Sequence, residues 1–298
     1  ATDSTALDAD ILLTRGKRNS FSVEVEGTNS AGDFGAALST SYQNRNVFRG
    51  GETFNIKLRG AFEAIKGLSG YQDQNYIEYS AETGFTFPGF RAPFISRDFR
   101  RKVVATSEVS LMYDSQDRPE FHRRVVTAAW KYRWARPGKR LQHRVDLLDL
   151  NYVFMPWISS TFRELYLDDP ENRNAILRYN YENLFIMKWG YNMTYNSRSI
   201  RDGRTNYGTN GYIVRMGVES SGNLLYGLSK AGLSNINSMG QYTFFNIAYA
   251  QYVKADFDYS KSFIFDKRNS LALHFGLGVA YPYGNSTILP YEKRYFSG

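Results

Sequence analysis

The side chains best suited to polar chemistry are few. His122, His143 and His274 are the only histidines, and the chain has no cysteine. Thiol catalysis, thiolate metal sites and disulfide frameworks are therefore excluded. His143 and His274 fall far apart on predicted strands and His122 opens another, so no pair has the spacing that holds zinc. No Gly-x-Ser-x-Gly elbow occurs, although a Ser-His-Asp set assembles in space and not in sequence. Gly50-Gly51 and Gly67-Leu68-Ser69-Gly70 lack the Lys-Ser/Thr of a phosphate loop and read as turns. The sequence points to no catalytic set, no metal and no cofactor.

The elements that would carry any site have a period of two. In Ser20-Phe21-Ser22-Val23-Glu24-Val25-Glu26, Phe21, Val23 and Val25 share one face while Ser22, Glu24 and Glu26 share the other. Phe54, Ile56 and Leu58 oppose Asn55, Lys57 and Arg59. Tyr212, Val214, Met216 and Val218 oppose Arg215 and Glu219. Near the end, Leu271, Leu273, Phe275, Leu277, Val279 and Tyr281 alternate with Ala272, His274, Gly276, Gly278 and Ala280. Glu24, Glu26, Lys57, Arg59, Arg215 and Glu219 then line either an ion pathway or a hydrated lumen.

Read through the chain, this pattern predicts about eleven strands. They fall near residues 19–27, 33–43, 52–63, 75–87, 103–113, 121–134, 141–154, 182–196, 209–220, 240–257 and 268–283. Most reach the ~9–11 residues that a tilted strand needs to cross a bilayer, against ~5–6 for an ordinary globular strand. No run approaches the ~18 apolar residues of a membrane helix, which leaves a transmembrane β-barrel open because only alternate residues face lipid. The net charge of +8 is spread among strands and turns. Anionic lipid headgroups account for it at least as well as nucleic acid, which is not expected as a partner.

Turn-like pieces such as Asn46-Val47-Phe48-Arg49-Gly50-Gly51 and Arg136-Pro137-Gly138-Lys139 alternate with longer polar segments. The longest, near 155–181, includes Leu165-Tyr166-Leu167-Asp168-Asp169-Pro170-Glu171-Asn172 and has room for a short helix. Short connections at one end and long ones at the other mark outer-membrane barrels. The segment Pro88-Gly89-Phe90-Arg91-Ala92-Pro93-Phe94 departs from this, standing where a short turn is expected. Aromatic residues, among them Tyr42, Phe48, Phe85, Phe87, Phe90, Trp130, Tyr132 and Trp134, gather toward strand ends as in interfacial girdles. Ala1–Ala6 has neither the charged nor the apolar region of a signal peptide. A boundary near 15–19 separates Asp8-Ala9-Asp10-Ile11-Leu12-Leu13 from Arg15-Gly16-Lys17-Arg18.

The run from Arg15 through Ser20-Phe21-Ser22-Val23-Glu24-Val25-Glu26-Gly27 to Gly35 resembles the start of the barrel in outer-membrane assembly factors of the BamA/TamA type, in their Bacteroidetes form. Asn46-Val47-Phe48-Arg49-Gly50-Gly51-Glu52 resembles that family's first periplasmic turn. Leu289-Pro290-Tyr291-Glu292-Lys293-Arg294-Tyr295-Phe296-Ser297-Gly298 resembles the beginning of its lumen-inserting loop after the eleventh strand. The resemblance spans nearly the whole chain and is specific at these three places. The family's Arg-Gly-aromatic signature would follow beyond Gly298.

The resemblance implies an all-β, antiparallel transmembrane barrel in the outer membrane of a Gram-negative bacterium, with about eleven of sixteen strands in 19–298. It implies that residues 1–18 are the end of the last periplasmic POTRA domain and a linker. It implies a non-enzymatic factor whose first strand, Ser20–Gly27, forms a laterally opening seam and templates client strands by β-augmentation. Arg294, Tyr295, Phe296, Ser297 and Gly298 would begin the inserted loop. Its partners would be outer-membrane lipids, unfolded outer-membrane β-barrel clients, and periplasmic or lipoprotein accessory subunits. A passive porin, a soluble β-sandwich and an outer-membrane hydrolase are the alternatives.

Overall fold

The computed structural model describes residues 10, 12, 16–30, 33–65, 75–93, 95–138, 140–167, 181, 183–197, 200–201, 204–205, 210–266 and 268–295. Most of residues 1–18, the expected domain end and linker, lie outside them. In chain order the strands are β1 (Asn19–Ser30), β2 (Asp33–Arg45), β3 (Thr53–Ala64), β4 (Asn75–Pro88), β5 (Val104–Asp117), β6 (Phe121–Ala135), β7 (Leu141–Ile158) and β8 (Leu184–Asn196). The short β9 (Ile200–Arg201) and β10 (Arg204–Thr205) follow, then β11 (Gly211–Ser221), the short β12 (Asn235–Ile236), β13 (Tyr242–Phe244) and β14 (Ile247–Ala248), and finally β15 (Tyr252–Ile264) and β16 (Ser270–Pro282).

Eleven of them form one antiparallel sheet in the order β1-β2-β3-β4-β5-β6-β7-β8-β11-β15-β16, a meander in which each long strand pairs with the next. These strands run from 11 residues in β11 to 18 in β7. Ten of the eleven occupy the predicted positions. The tenth does not: expected over 240–257, it begins at Tyr252 and runs to Ile264. The alternation of Tyr242 and Phe244 belongs instead to a small separate sheet, β12-β13-β14. Phe245 and Asn246 turn that hairpin with positive φ values of 52° and 63°, a conformation that ends a strand.

Register carries the two-faced character across the whole sheet. Val25 stands opposite Leu38, Thr40 opposite Leu58, and Phe62 opposite Ile77. At the other side, Met193 opposes Met216, which opposes Phe257, which opposes Leu277. This apolar face is the exposed one: Val25 is 78% exposed, Phe275 58% and Leu277 65%. Soluble sheets hide their apolar face against a second layer. Here the buried clusters sit mostly where connections fold over strand ends. They include Phe90, Val103, Ala105 and Tyr132 at one end, and Phe185, Leu225, Ile247 and Tyr249 at the other.

The connections differ at the two ends. At the end where β1 begins, the link between β2 and β3 is short, while the link between β4 and β5 carries helix α1 (Arg97–Arg101), capped by Ser96 Oγ, which accepts from the Phe99 amide at 3.3 Å. At the opposite end, β7 runs into α2 (Ser160–Phe162) and a π-turn over Arg163–Leu167, which takes in Leu165-Tyr166-Leu167. Asp168–Asn172 lie outside the described residues. Between β11 and β15 stands helix α3 (Asn223–Lys230). Ser229 Oγ donates to the Leu225 carbonyl within it at 2.8 Å.

Candidate functional site

Two regions stand out by geometry: the free edge of β1, and the segment after β16 that crosses the polar face. Ser20–Gly27, the predicted seam, lies wholly within β1. Its register with β2 is unbroken from Asn19↔Asn44 to Ser30↔Asp33. β1 ends the strand order, so among the described residues nothing pairs with its far side.

Which amides face that far side follows from one bond. The Arg45 amide donates to the Arg18 carbonyl at 2.7 Å, which makes 18/45 a hydrogen-bonded pair. Such pairs alternate with non-bonded ones along an antiparallel ladder. Ser20, Ser22, Glu24 and Glu26 therefore bond to β2. Phe21, Val23, Val25 and Gly27 turn their N–H and C=O groups away from it, off the edge. The residues that present apolar side chains are the same ones that present backbone donors.

β16 is the opposite edge. The Tyr283 amide donates to the Gln251 carbonyl at 3.1 Å, so odd-numbered residues bond to β15, and His274, Gly276, Gly278 and Ala280 face outward. Pro282 falls in this outward set, where its missing N–H breaks no existing bond.

After Pro282 the chain turns back over the polar face. Asn285, 6% exposed, fixes the turn: its Nδ2 donates to the Tyr242 and Tyr249 carbonyls at 2.9 and 3.1 Å, and its Oδ1 accepts from the Tyr242 amide at 2.7 Å. Leu289 then packs on buried Ile186, Ala250 and Tyr252. A single 3₁₀ turn over Tyr291–Lys293 sends Glu292 toward Asn151 Nδ2, which donates to it at 3.3 Å, and toward Arg123 at 3.7 Å. Lys293 Nζ reaches Glu219 Oε1 at 3.9 Å. The segment thus ties β6, β7, β8, β11 and β15 together.

Beneath it lies a charge cluster. Lys188 Nζ sits 2.8 Å from Glu219 Oε2 and 3.8 Å from Asp149, with Lys131 4.0 Å from the same aspartate. Tyr252 donates to Glu219 Oε1 at 3.0 Å. Burial beside Lys188 pushes the Lys293 ammonium below the usual lysine range, partly offset by Glu219 and Asp149.

The predicted loop residues divide. Arg294 Nε donates to the Leu289 carbonyl at 2.9 Å. Tyr295 donates to the Ala255 carbonyl at 3.3 Å and to the Asp256 carboxylate, with Lys254 Nζ 4.1 Å from its ring centroid. Phe296, Ser297 and Gly298 lie outside the described residues. The sequence reading missed Glu292 and Lys293 as contact residues, and it marked Glu219 without its partner Lys188. Lys188 and Glu219 are 31 positions apart, and the register of β8 against β11 alone brings them together.

The histidines remain separate. His143 stacks on Trp134 at 5.0 Å and shares a 2.7 Å hydrogen bond with the Tyr191 hydroxyl. His122 lies 3.8 Å from Asp117. His274 meets the Asp258 carboxylate, which also pairs with Arg215 at 3.0 Å. Ser260 Oγ points at Asp258, at 3.4 Å, and not at the imidazole, so these three do not form a Ser-His-Asp relay. Among the described residues no group of His, Asp and Glu could hold a metal ion. Compared with known proteins, the chain matches no family model and no curated protein.

Proposed function

We propose that the eleven-stranded sheet is the wall of a transmembrane β-barrel in a bacterial outer membrane, belonging to a BamA/TamA-type assembly or translocation factor. The observation that carries this reading is the apolar face, bare at both edges, at Val23 and Val25 on one side and at Leu277 and Val279 on the other, and covered where connections such as the β4–β5 link fold onto it. A water-soluble protein that left such a surface bare would aggregate. Acyl chains satisfy it, and the charged opposite face then borders a hydrated lumen. The aromatic residues near one end, Phe48, Phe54, Phe85, Phe87 and Trp134, suit a membrane interface.

The client site in this reading is the free edge of β1. An incoming unfolded strand pairs with the outward amides of Phe21, Val23, Val25 and Gly27 by β-augmentation. Strand pairing in lipid is downhill, because an unsatisfied backbone group there costs several kcal/mol, so no nucleotide, metal or covalent intermediate is required. The same cost means that the interval between β16 and β1 must be filled, by further strands or by the client. The segment over 283–295 plays the part of a lumen-inserted loop.

The experiment separates the two sides of β1. Val25→Pro removes an outward donor and leaves the β1–β2 ladder whole, whereas Glu24→Pro breaks that ladder. In cells carrying the full-length protein, Val25→Pro is expected to impair outer-membrane protein assembly while the barrel still folds. Normal assembly would overturn the reading; a stable large conductance with normal assembly would favour a passive porin.

A further inference from the structure

Charge is distributed unevenly between the two ends of the sheet. At the end where β1 begins, Arg97, Arg100, Arg101 and Lys102 in the β4–β5 link are exposed, as are Arg133 and Arg136 at the close of β6. The acidic groups beside them are few: Asp98 in α1, Glu108 on β5 and buried Glu52. The opposite end mixes signs, with Arg118, Glu120, Arg163, Glu164, Glu292 and Lys293.

The β4–β5 link does not simply turn. It folds onto the apolar face of the sheet, where the Arg91 amide donates to Ser107 Oγ at 2.9 Å, Ser107 Oγ donates to the Gly89 carbonyl at 2.8 Å, and Tyr132 donates to the Arg91 carbonyl at 3.3 Å. Phe90 packs against Phe99, Tyr132 and Trp134 with ring centroids 5.6 to 5.9 Å apart. This sinks the aromatic side of α1 into the apolar surface and leaves Arg97 and Arg101 at the rim, while Arg100 turns back to donate to the Ala92 carbonyl. A short basic helix with that division of faces suits the boundary between headgroups and acyl chains.

Next to it is a hollow of about 390 Å³ walled by Phe48, Phe87, Val109 and Trp130, with Arg91, Ser107 and the Glu52 carboxylate also lining it. Arg91 Nη2 pairs with Glu52 Oε1 at 3.2 Å, and its guanidinium stands 5.4 Å from the Phe87 centroid. Apolar walls beneath a basic rim match an acyl chain beneath a phosphate.

We infer that this end of the sheet binds an anionic glycerophospholipid, its acyl chain in the hollow beside Trp130 and its headgroup on the basic rim formed by α1. The inference rests on the membrane reading above and deepens it by naming a lipid class. Clustered Lys and Arg beside a membrane select anionic over zwitterionic headgroups, and salt screens that selection.

The test uses the full-length protein with every other tryptophan, Trp134, Trp157 and Trp189 among them, replaced by Phe, so that Trp130 alone reports. It is reconstituted into phosphatidylcholine bilayers containing either dibrominated phosphatidylglycerol or dibrominated phosphatidylcholine, whose bromines quench a neighbouring indole. The phosphatidylglycerol probe is expected to reach half-maximal quenching at a several-fold lower mole fraction. That preference should vanish in the Arg97→Gln/Arg101→Gln/Lys102→Gln variant, and in the unaltered rim at about 1 M salt, where the Debye length is about 3 Å. Equal quenching by both probes would overturn the lipid site and leave the membrane reading standing. No quenching by either would overturn the membrane reading itself. A preference that survives both the triple variant and high salt would remove α1 from the site.

Discussion

Tyr295 stands over Gly278, in space that any side chain at position 278 would occupy: a Cβ built there would run into the tyrosine ring. Because that obstacle is the far end of a flexible side chain and not backbone, Gly278→Val should leave the β15–β16 pairing in place. The ring would be pushed out, breaking its bonds to the Ala255 carbonyl and Asp256. We expect a thermal midpoint within a few degrees of the parent, together with faster proteolysis and hydrogen exchange over 287–295. Unchanged protection there would mean that Tyr295 does not hold the segment down.

Lys188 is the hub of the polar-face cluster, serving Glu219 and Asp149 with its side chain only 16% exposed. Lys188→Met leaves two carboxylates short of a partner. Removing one member of a fully buried pair costs ~3–5 kcal/mol and of an exposed pair ~1 or less, so about 2 kcal/mol is expected here. Lys188→Arg should recover most of it. Urea unfolding in detergent measures the difference, and an unchanged midpoint would show the cluster to be screened by water.

Leu277→Arg tests what covers the apolar face. Near the middle of a bilayer an outward arginine costs about 2–4 kcal/mol, whereas the same change on a water-exposed surface stays within about 0.5 kcal/mol. A loss in lipid vesicles of the larger size is expected. Tolerance of the substitution with normal folding in plain buffer would place water, not lipid, on that side.

Glu52 sets a pH dependence at the turn between β2 and β3. Its own amide and those of Gly50 and Phe48 point at the carboxylate, which with Arg91 outweighs its burial and holds it below the usual glutamate range. A carboxyl group depressed in the folded state stabilises fully above its unfolded value, and that stabilisation is lost as pH falls through the folded one. Protection factors over 46–52, taken relative to the intrinsic exchange rate at each pH, should therefore fall under acid conditions, and Glu52→Gln should flatten the response. A flat profile in the parent would refute the tie.

The long strands were legible because alternation is written locally: Phe21, Val23 and Val25 announce β1 without reference to any neighbour. The tenth strand was misplaced because Tyr242 and Phe244 carry the same alternation for only three residues before Phe245 and Asn246 turn the chain. Helix α3 was missed, since Asn223-Leu224-Leu225-Tyr226-Gly227 is brief and opens after Gly222 with no side-chain cap hydrogen bond. The contacts among Lys188, Glu219, Lys293 and Glu292 depend on register and on where a returning segment lies. No spacing along the chain encodes either.

Pro282 gives the outer margin of β16 a direction. A neighbour zipping along that margin could take amide hydrogens from Ser270 through Ala280, one at every second residue, and would then meet a ring where the next should be. The zipper has a built-in end stop, two positions before Gly284, and the length of any ribbon fastened there is limited by a single imino acid.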